Sequence, residues 1–228
     1  MRLSRRSAVA SLVYLGLGLL WVVAAGPPGP RWIEAIWVIA LAVEGLFIPG
    51  VANQVSLSRA YLAAPALAYS SASDLGPLAV TMAIAGLSDL VDGTIARRLE
   101  EPSSLGGALD PVVDGVFLGA VVIGLAAGGT FPAWLAAVVI ARYLLPALVG
   151  GALLLAHRPV ELRHTVTGQV STSLILVLVG GIVLLRGLRQ DPGNLVVGAE
   201  VVLPLATLAT FVHLGLTLRR PAAASGRA

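Results

Sequence analysis

Four aspartates mark where this chain can do chemistry. Asp89 and Asp92 lie three residues apart, and Asp110 and Asp114 four apart. On a helix, either spacing puts both carboxylates on one face. The segments that carry them are joined by a short loop, so they run antiparallel and the two pairs face each other near one membrane surface. Four like charges in one pocket repel unless something positive sits among them. Arg97 and Arg98 offset part of that repulsion, and a divalent cation offsets more. An all-oxygen donor set suits Mg²⁺, Mn²⁺ or Ca²⁺ rather than zinc. Such a site suits a substrate that brings its own phosphates, because a metal can bridge carboxylate and phosphate oxygens. The plainer alternative is that each aspartate caps a helix end or pairs with Arg97 or Arg98. Four of them at this spacing, with small residues between, favour the shared site.

The rest of the chain is unusually poor in charge. Of 228 residues, 57% are hydrophobic and 12% charged, against about 25% charged in a soluble domain. Mean hydropathy is +0.91. This composition excludes a disordered chain, a nucleic-acid-binding module and a soluble enzyme. There is no cysteine, hence no disulfide framework, thiolate metal site or cysteine nucleophile. All fifteen basic residues are arginine, which removes a P-loop or Schiff-base lysine. The net charge of +3 therefore reads as membrane orientation rather than nucleic-acid binding. A charged residue at mid-membrane costs about 2.5–3.5 kcal/mol, so the acids that remain need a reason.

Eight segments are long and apolar enough to be read as membrane helices: 7–25, 32–49, 54–70, 75–97, 107–127, 132–155, 166–185 and 195–218. The first follows Arg2, Arg5 and Arg6 and mimics a signal peptide, with Ala24-Ala25-Gly26 as a weak cleavage site. Its apolar run is long for that role, and a retained helix is expected. Segments 54–70 and 75–97 are the most polar, since they hold Arg59, Asp89 and Asp92. With the N-terminus cytoplasmic, eleven arginines fall on the cytoplasmic side, and Arg31, Arg186 and Arg189 on the other. This fits the positive-inside rule with both termini inside and the aspartates at the cytoplasmic face. Runs such as Leu174-Ile175-Leu176-Val177-Leu178-Val179 do not alternate as barrel strands would. The expected fold is all-α, a polytopic transmembrane helical bundle. Gly-Pro-Pro-Gly-Pro at 26–30 marks a stiff turn between the first two helices, and residues 219–228 read as a disordered cytoplasmic tail.

From Asp89 the chain reads Asp-Leu-Val-Asp-Gly-Thr-Ile-Ala-Arg, then eight residues, then Gly106-x-x-x-Asp110-x-x-x-Asp114. This resembles the signature of the CDP-alcohol phosphatidyltransferase family, D-x-x-D-G-x-x-A-R-x8-G-x-x-x-D-x-x-x-D, at every fixed position. Asn53, Ser56 and Arg59 resemble the segment that the family carries just before its first core helix. The resemblance implies a six-helix core over residues 53–218, preceded by a two-helix N-terminal extension over 1–52. It implies transfer of a phosphatidyl group from CDP-diacylglycerol to an alcohol, with release of CMP. It also implies one or two Mg²⁺ or Mn²⁺ ions held by Asp89, Asp92, Asp110 and Asp114, with Asp114 as general base. Asn53, Ser56, Asp92, Gly93, Ala96, Arg97 and Gly106 would receive the cytidine nucleotide. Arg59, Arg142 and Arg163 would meet the acceptor, and a homodimer is expected. The small residues agree with this physically, since a bulky nucleotide can approach a helix backbone only where side chains do not block it.

Asp110-Pro111 most resembles the phosphatidylglycerophosphate and cardiolipin synthase branch, which favours glycerol 3-phosphate or phosphatidylglycerol as acceptor. Inositol phosphate or another polar alcohol stays open. Two positions depart from the branch: Gly115 stands where a lysine is usual after the last aspartate, and Arg163 stands in place of another lysine. Arg142, alone within its span, needs an anionic partner, either an acceptor phosphate or a carboxylate such as Glu161 or Glu200. Glu44 is a candidate partner of Arg59. His157, His164 and His213 have no metal-ligand spacing. The Gly150-Gly151 and Gly180-Gly181 pairs are expected at close helix contacts, and Trp21, Trp32, Trp37 and Trp134 at the membrane interfaces. Readings of another class are a divalent-cation transporter and a non-catalytic membrane protein. The aspartates gather at one face and no half-chain repeat is present, which does not match an inverted-repeat transporter; the missing family lysines keep the non-catalytic reading open.

Overall fold

The structure is a computed structural model that describes residues 4–99, 104–155 and 166–219. Each of the eight expected segments is a helix, and no strand occurs among the described residues. The helices are α1 (Arg5–Leu20), extended by a π turn (Trp21–Ala25), α2 (Arg31–Gly45), α3 (Val51–Ser71), α4 (Leu75–Leu99), α5 (Ser104–Ala127), α6 (Ala133–Leu155), α7 (Val166–Gly187) and α8 (Gly193–Arg219). Five stretches are long and apolar enough to cross a membrane: Arg5–Ala25, Leu75–Ile95, Leu109–Ala127, Val170–Gly187 and Gly193–His213. The protein is thus an integral-membrane helical bundle. α6 adds a shorter apolar stretch, Ala133–Val149. α2 has 15 residues, about 22 Å of helix, and reaches further only through the turns at Leu46–Ile48. α3 is long enough but too polar to qualify, because it carries part of the site.

The bundle buries its interior and leaves the outside greasy. One core joins Ala66 of α3, Leu78 and Met82 of α4, Val121 and Val122 of α5, Val139 of α6, Ile175 and Val179 of α7 and Leu203 of α8. Outward, α8 shows Val197, Val201, Leu205, Leu208 and Val212, a stripe at helical spacing that water would penalise and lipid accepts. A second core ties the N-terminal helices in: Val38 and Leu41 of α2 pack with Leu57, Ala60 and Tyr61 of α3 and with Val113 of α5, and Tyr14 of α1 joins them.

α3 is the central helix. It packs against α5 and α4 and also touches α1 and α2. Its contact with α5 is so close that a Cβ on Gly124 would fall 2.8 Å from Ser70 Cβ and 3.0 Å from the Leu67 carbonyl oxygen. Of the Gly180-Gly181 pair, a Cβ on Gly180 would keep an ordinary 3.6 Å from Met82 Cε, while one on Gly181 would come within 3.1 Å of Leu195 Cδ1, a close contact of α7 with α8. Two tryptophans expected at the interfaces instead bond to α3: Trp21 Nε1 donates to Tyr69 Oη at 2.8 Å, and Trp37 Nε1 to the Ala60 carbonyl at 2.9 Å. Trp32 and Trp134 are exposed. The tail beyond Arg219 lies outside the described residues.

Candidate active site

The four aspartates converge as their spacing predicts. Asp89 and Asp92 lie toward the end of α4, and Asp110 and Asp114 near the start of α5. α3 supplies what stands between them. Its Arg59, only 3% exposed, reaches every one of the four carboxylates. Nη1 is 2.6 Å from Asp89 Oδ1 and 3.1 Å from Asp92 Oδ2. Nη2 is 3.6 Å from Asp110 Oδ1, and Nε is 3.0 Å from Asp114 Oδ1. One α3 turn earlier, Ser56 Oγ donates to Asp92 Oδ2 at 2.7 Å, and Asn53 Nδ2 donates to the Pro49 carbonyl at 2.7 Å. The Asn53–Ser56–Arg59 spacing thus lines up one helix face, with Ser56 and Arg59 turned to the carboxylates. Arg59 does not pair with Glu44, which is exposed at the end of α2.

A small cleft opens beside this cluster. Arg59, Asp89 and Asp114 make its polar end, while Phe117, Leu118 and Leu176 make its apolar wall. Gly86 also lines it, and a Cβ there would still be 3.9 Å from the nearest atom, Leu176 Cδ2. Thr172 of α7 completes the lining. Behind Thr172 stands Arg142 of α6, buried at 4% exposure. Its Nη2 donates to Thr172 Oγ1 at 3.0 Å and its Nη1 to Thr210 Oγ1 at 3.4 Å, and its guanidinium lies 5.2 Å from the Tyr143 ring centroid. Thr172 has a signal in the sequence, the hydroxyl run Ser171-Thr172-Ser173 inside an apolar helix, that spacing arguments on charged residues pass over.

The remaining expected residues are placed less fully. Gly93 follows Asp92 on α4. Ala96 and Arg97 continue that helix and Gly106 lies in the first turn of α5, but their surroundings are outside what the structure describes. Arg163, Glu161, His157 and His164 lie outside the described residues. Gly115, where the branch usually has a lysine, has a steric reason: its Cβ would fall 2.9 Å from Tyr143 Cβ. α5 and α6 touch there, and a long side chain cannot leave between them without moving one helix.

The donor set fits a hard divalent cation. Four carboxylates face one guanidinium, so acids outnumber the cation in the cluster, and every candidate ligand is an oxygen. The arrangement is closed around Arg59, however. Among the described residues no three acidic side chains are grouped to hold one ion.

Comparison with known proteins agrees with the motif. The family model for CDP-alcohol phosphatidyltransferase matches residues 50–217. The chain is 30% identical to cardiolipin synthase (CMP-forming) of Rattus norvegicus over 176 residues, 68% of this chain and 57% of the relative. It is 31% identical to CDP-diacylglycerol–glycerol-3-phosphate 3-phosphatidyltransferase of Bacillus subtilis over 140 residues, 61% of this chain and 67% of the relative. Archaetidylinositol phosphate synthase of Methanothermobacter thermautotrophicus is 31% identical over 90 residues, 36% of this chain and 46% of the relative. The chain spans about half the length of curated relatives such as the fly and rat synthases, 45% and 57%. No solved structure matches.

Proposed function

Because the chain belongs to the CDP-alcohol phosphatidyltransferase family, we propose that it transfers a phosphatidyl group from CDP-diacylglycerol to the hydroxyl of an alcohol and releases CMP. The observation that carries this reading is the convergence of Asp89, Asp92, Asp110 and Asp114 on one buried arginine, with Asp89 and Asp114 lining the polar end of an amphiphilic cleft. A lipid-linked diphosphate has the same two-sided character. The family core occupies residues 53–218, with helices α1 and α2 as an extension, and the protein works as a homodimer. The arginine distribution favours a cytoplasmic active site and cytoplasmic termini.

Asp89, Asp92, Asp110 and Asp114 would hold one or two Mg²⁺ or Mn²⁺ ions, which when bound supply positive charge to the diphosphate and to the departing CMP. Asp114, which lines the cleft, takes the proton from the acceptor hydroxyl. The freed oxygen attacks the phosphorus attached to the lipid, and the bond from that phosphorus to CMP breaks. Ser56 donates to one oxygen of Asp92 and helps orient that carboxylate. Gly93, Ala96 and Gly106 leave room for the cytidine, and Asn53 and Arg97 meet the nucleotide. Phe117, Leu118 and Leu176 give the acyl chains an apolar wall and keep water out. Arg142 and Arg163 draw an anionic acceptor, and Arg142 has Thr172 between itself and the cleft. Glycerol 3-phosphate and phosphatidylglycerol are the favoured acceptors, following the branch that the sequence around Asp110 resembles.

The test is CMP release from CDP-diacylglycerol in detergent with Mn²⁺ or Mg²⁺, run against glycerol 3-phosphate, phosphatidylglycerol, inositol 1-phosphate and serine. One of the first two is expected to support metal-dependent release. Asp114→Asn should abolish turnover and leave CDP-diacylglycerol binding largely intact. If none of the acceptors supports metal-dependent CMP release, or Asp114→Asn keeps full activity, the reading falls.

A further inference from the structure

Arg59 stands where the proposed chemistry needs a metal. It is buried, and its side chain is the positive group that all four carboxylates share. Removing a guanidinium from water costs heavily unless its charges are met, and these carboxylates meet them. The reverse also holds: without Arg59, four acids would face each other across a cleft with nothing between them.

The hold is uneven. Nη1 makes a hydrogen bond to Asp89 at 2.6 Å. Nε and Nη2 are buried and make no hydrogen bond, although Asp114 and Asp110 lie 3.0 Å and 3.6 Å away. Toward α5 the contact is therefore Coulombic attraction without directed bonds. Such contacts are exchanged more easily than aligned ones.

Resting on the reading of these aspartates as a divalent-metal site, we infer that Arg59 is a built-in counterion that competes with the metal for the same carboxylates. The guanidinium holds the cluster together before the metal arrives and yields the carboxylates when it binds. The substrate diphosphate then offers the displaced guanidinium a new anionic partner. Metal alone binds weakly, and metal with nucleotide binds tightly. Each ligand strengthens the other by the same factor, as linkage requires. This gives α3, which carries none of the four acids, control over when the site is charged.

Mn²⁺ binding to the chelator-stripped, desalted full chain in detergent, followed by electron paramagnetic resonance with and without CDP, tests the inference. Wild type is expected to bind Mn²⁺ weakly alone and more tightly with CDP. Arg59→Gln removes the competing charge, and should bind Mn²⁺ alone about tenfold more tightly or better, with a smaller gain from CDP. Its thermal midpoint without metal should fall below that of wild type and rise further on adding Mn²⁺. Arg59→Lys keeps the charge and should stay close to wild type in metal affinity. Mn²⁺ affinity in Arg59→Gln equal to or weaker than wild type overturns the inference. So does an Arg59→Gln protein that fails to fold even with Mn²⁺ present, because the ion should replace the guanidinium. Wild type that binds no Mn²⁺ refutes the metal site itself, which separates the two failures.

Discussion

Replacing Gly115 by alanine should slow turnover about tenfold while the protein still folds. The new Cβ would sit 2.9 Å from Tyr143 Cβ, 3.2 Å from its Cγ and 3.3 Å from its Cδ1. Tyr143 Cβ is fixed to its backbone, so no rotamer change relieves the first overlap. Ordinary contact begins near 3.4 Å, so α5 and α6 must part by about 0.5 Å at that level. A 1 Å misplacement in an active site costs about a hundredfold, and half of that corresponds to about tenfold. Overpacking costs about 1–3 kcal/mol, while alanine recovers about 1 kcal/mol of helix propensity over glycine. The net loss of about 0–2 kcal/mol leaves the bundle folded, with a thermal midpoint lower by a few degrees. The assay is CMP release with the acceptor and CDP-diacylglycerol varied in turn. Because α6 carries Arg142 and α4 is not displaced, kcat/KM for the acceptor should fall more than kcat/KM for CDP-diacylglycerol. Gly115→Lys, which restores the residue usual in the branch, should lose more activity than the alanine variant. A folded Gly115→Ala protein with unchanged kcat/KM for the acceptor would refute the reasoning.

Two other substitutions test the packing and the acceptor side. Gly124→Ala should lower the thermal midpoint by forcing α3 from α5, and Ser70→Gly, which removes the Cβ in its way, should recover most of that loss. An additive double variant would show that Ser70 is not the obstacle. Arg142→Lys should raise KM for the acceptor by about 10–150-fold, the range of a lost charge-assisted contact, with KM for CDP-diacylglycerol unchanged; equal effects on both substrates would place Arg142 outside the acceptor pocket.

Features that depend only on neighbouring residues are legible in the sequence of this molecule. A long, mostly apolar run announces its own helix, and all eight segments are helical to within a few residues; five of them hold a stretch apolar enough to span a bilayer. The pairings Asp89–Asp92 and Asp110–Asp114 follow from helical spacing alone. Arg59 is legible as a polar residue in a weak span and as a match to the family segment, but not as the centre of the cluster. That depends on how α3 lies between α4 and α5, which no local spacing encodes. The same holds for the seam at Gly124 and for the bonds of Trp21 and Trp37 to α3. A glycine becomes a contact point only when a crossing is fixed, and an apolar helix looks alike whether a tryptophan on it faces headgroups or a neighbouring carbonyl. Gly115 reads in sequence as a missing lysine, and only the approach of Tyr143 from α6 gives that absence a cause.

α3 is too polar to rank among the membrane-length helices, yet it buries Asn53, Gln54, Ser56, Arg59 and Ser70 at the middle of the bundle. Gln54 Nε2 reaches back to the carbonyls of Gly45 and Ile48 at 2.8 Å and 2.7 Å, and Arg59 reaches forward to acids on α4 and α5. Alone in hydrocarbon, α3 would carry a bare guanidinium and several unmet hydrogen-bonding groups. The order of synthesis then matters. α1 and α2 leave the ribosome before α3 and offer one side of it its partners, but Asp114 arrives some fifty residues after Arg59. Until α5 is made, α3 has reason to wait at the translocon or the interface, and its entry into the bilayer is the step at which the active site assembles.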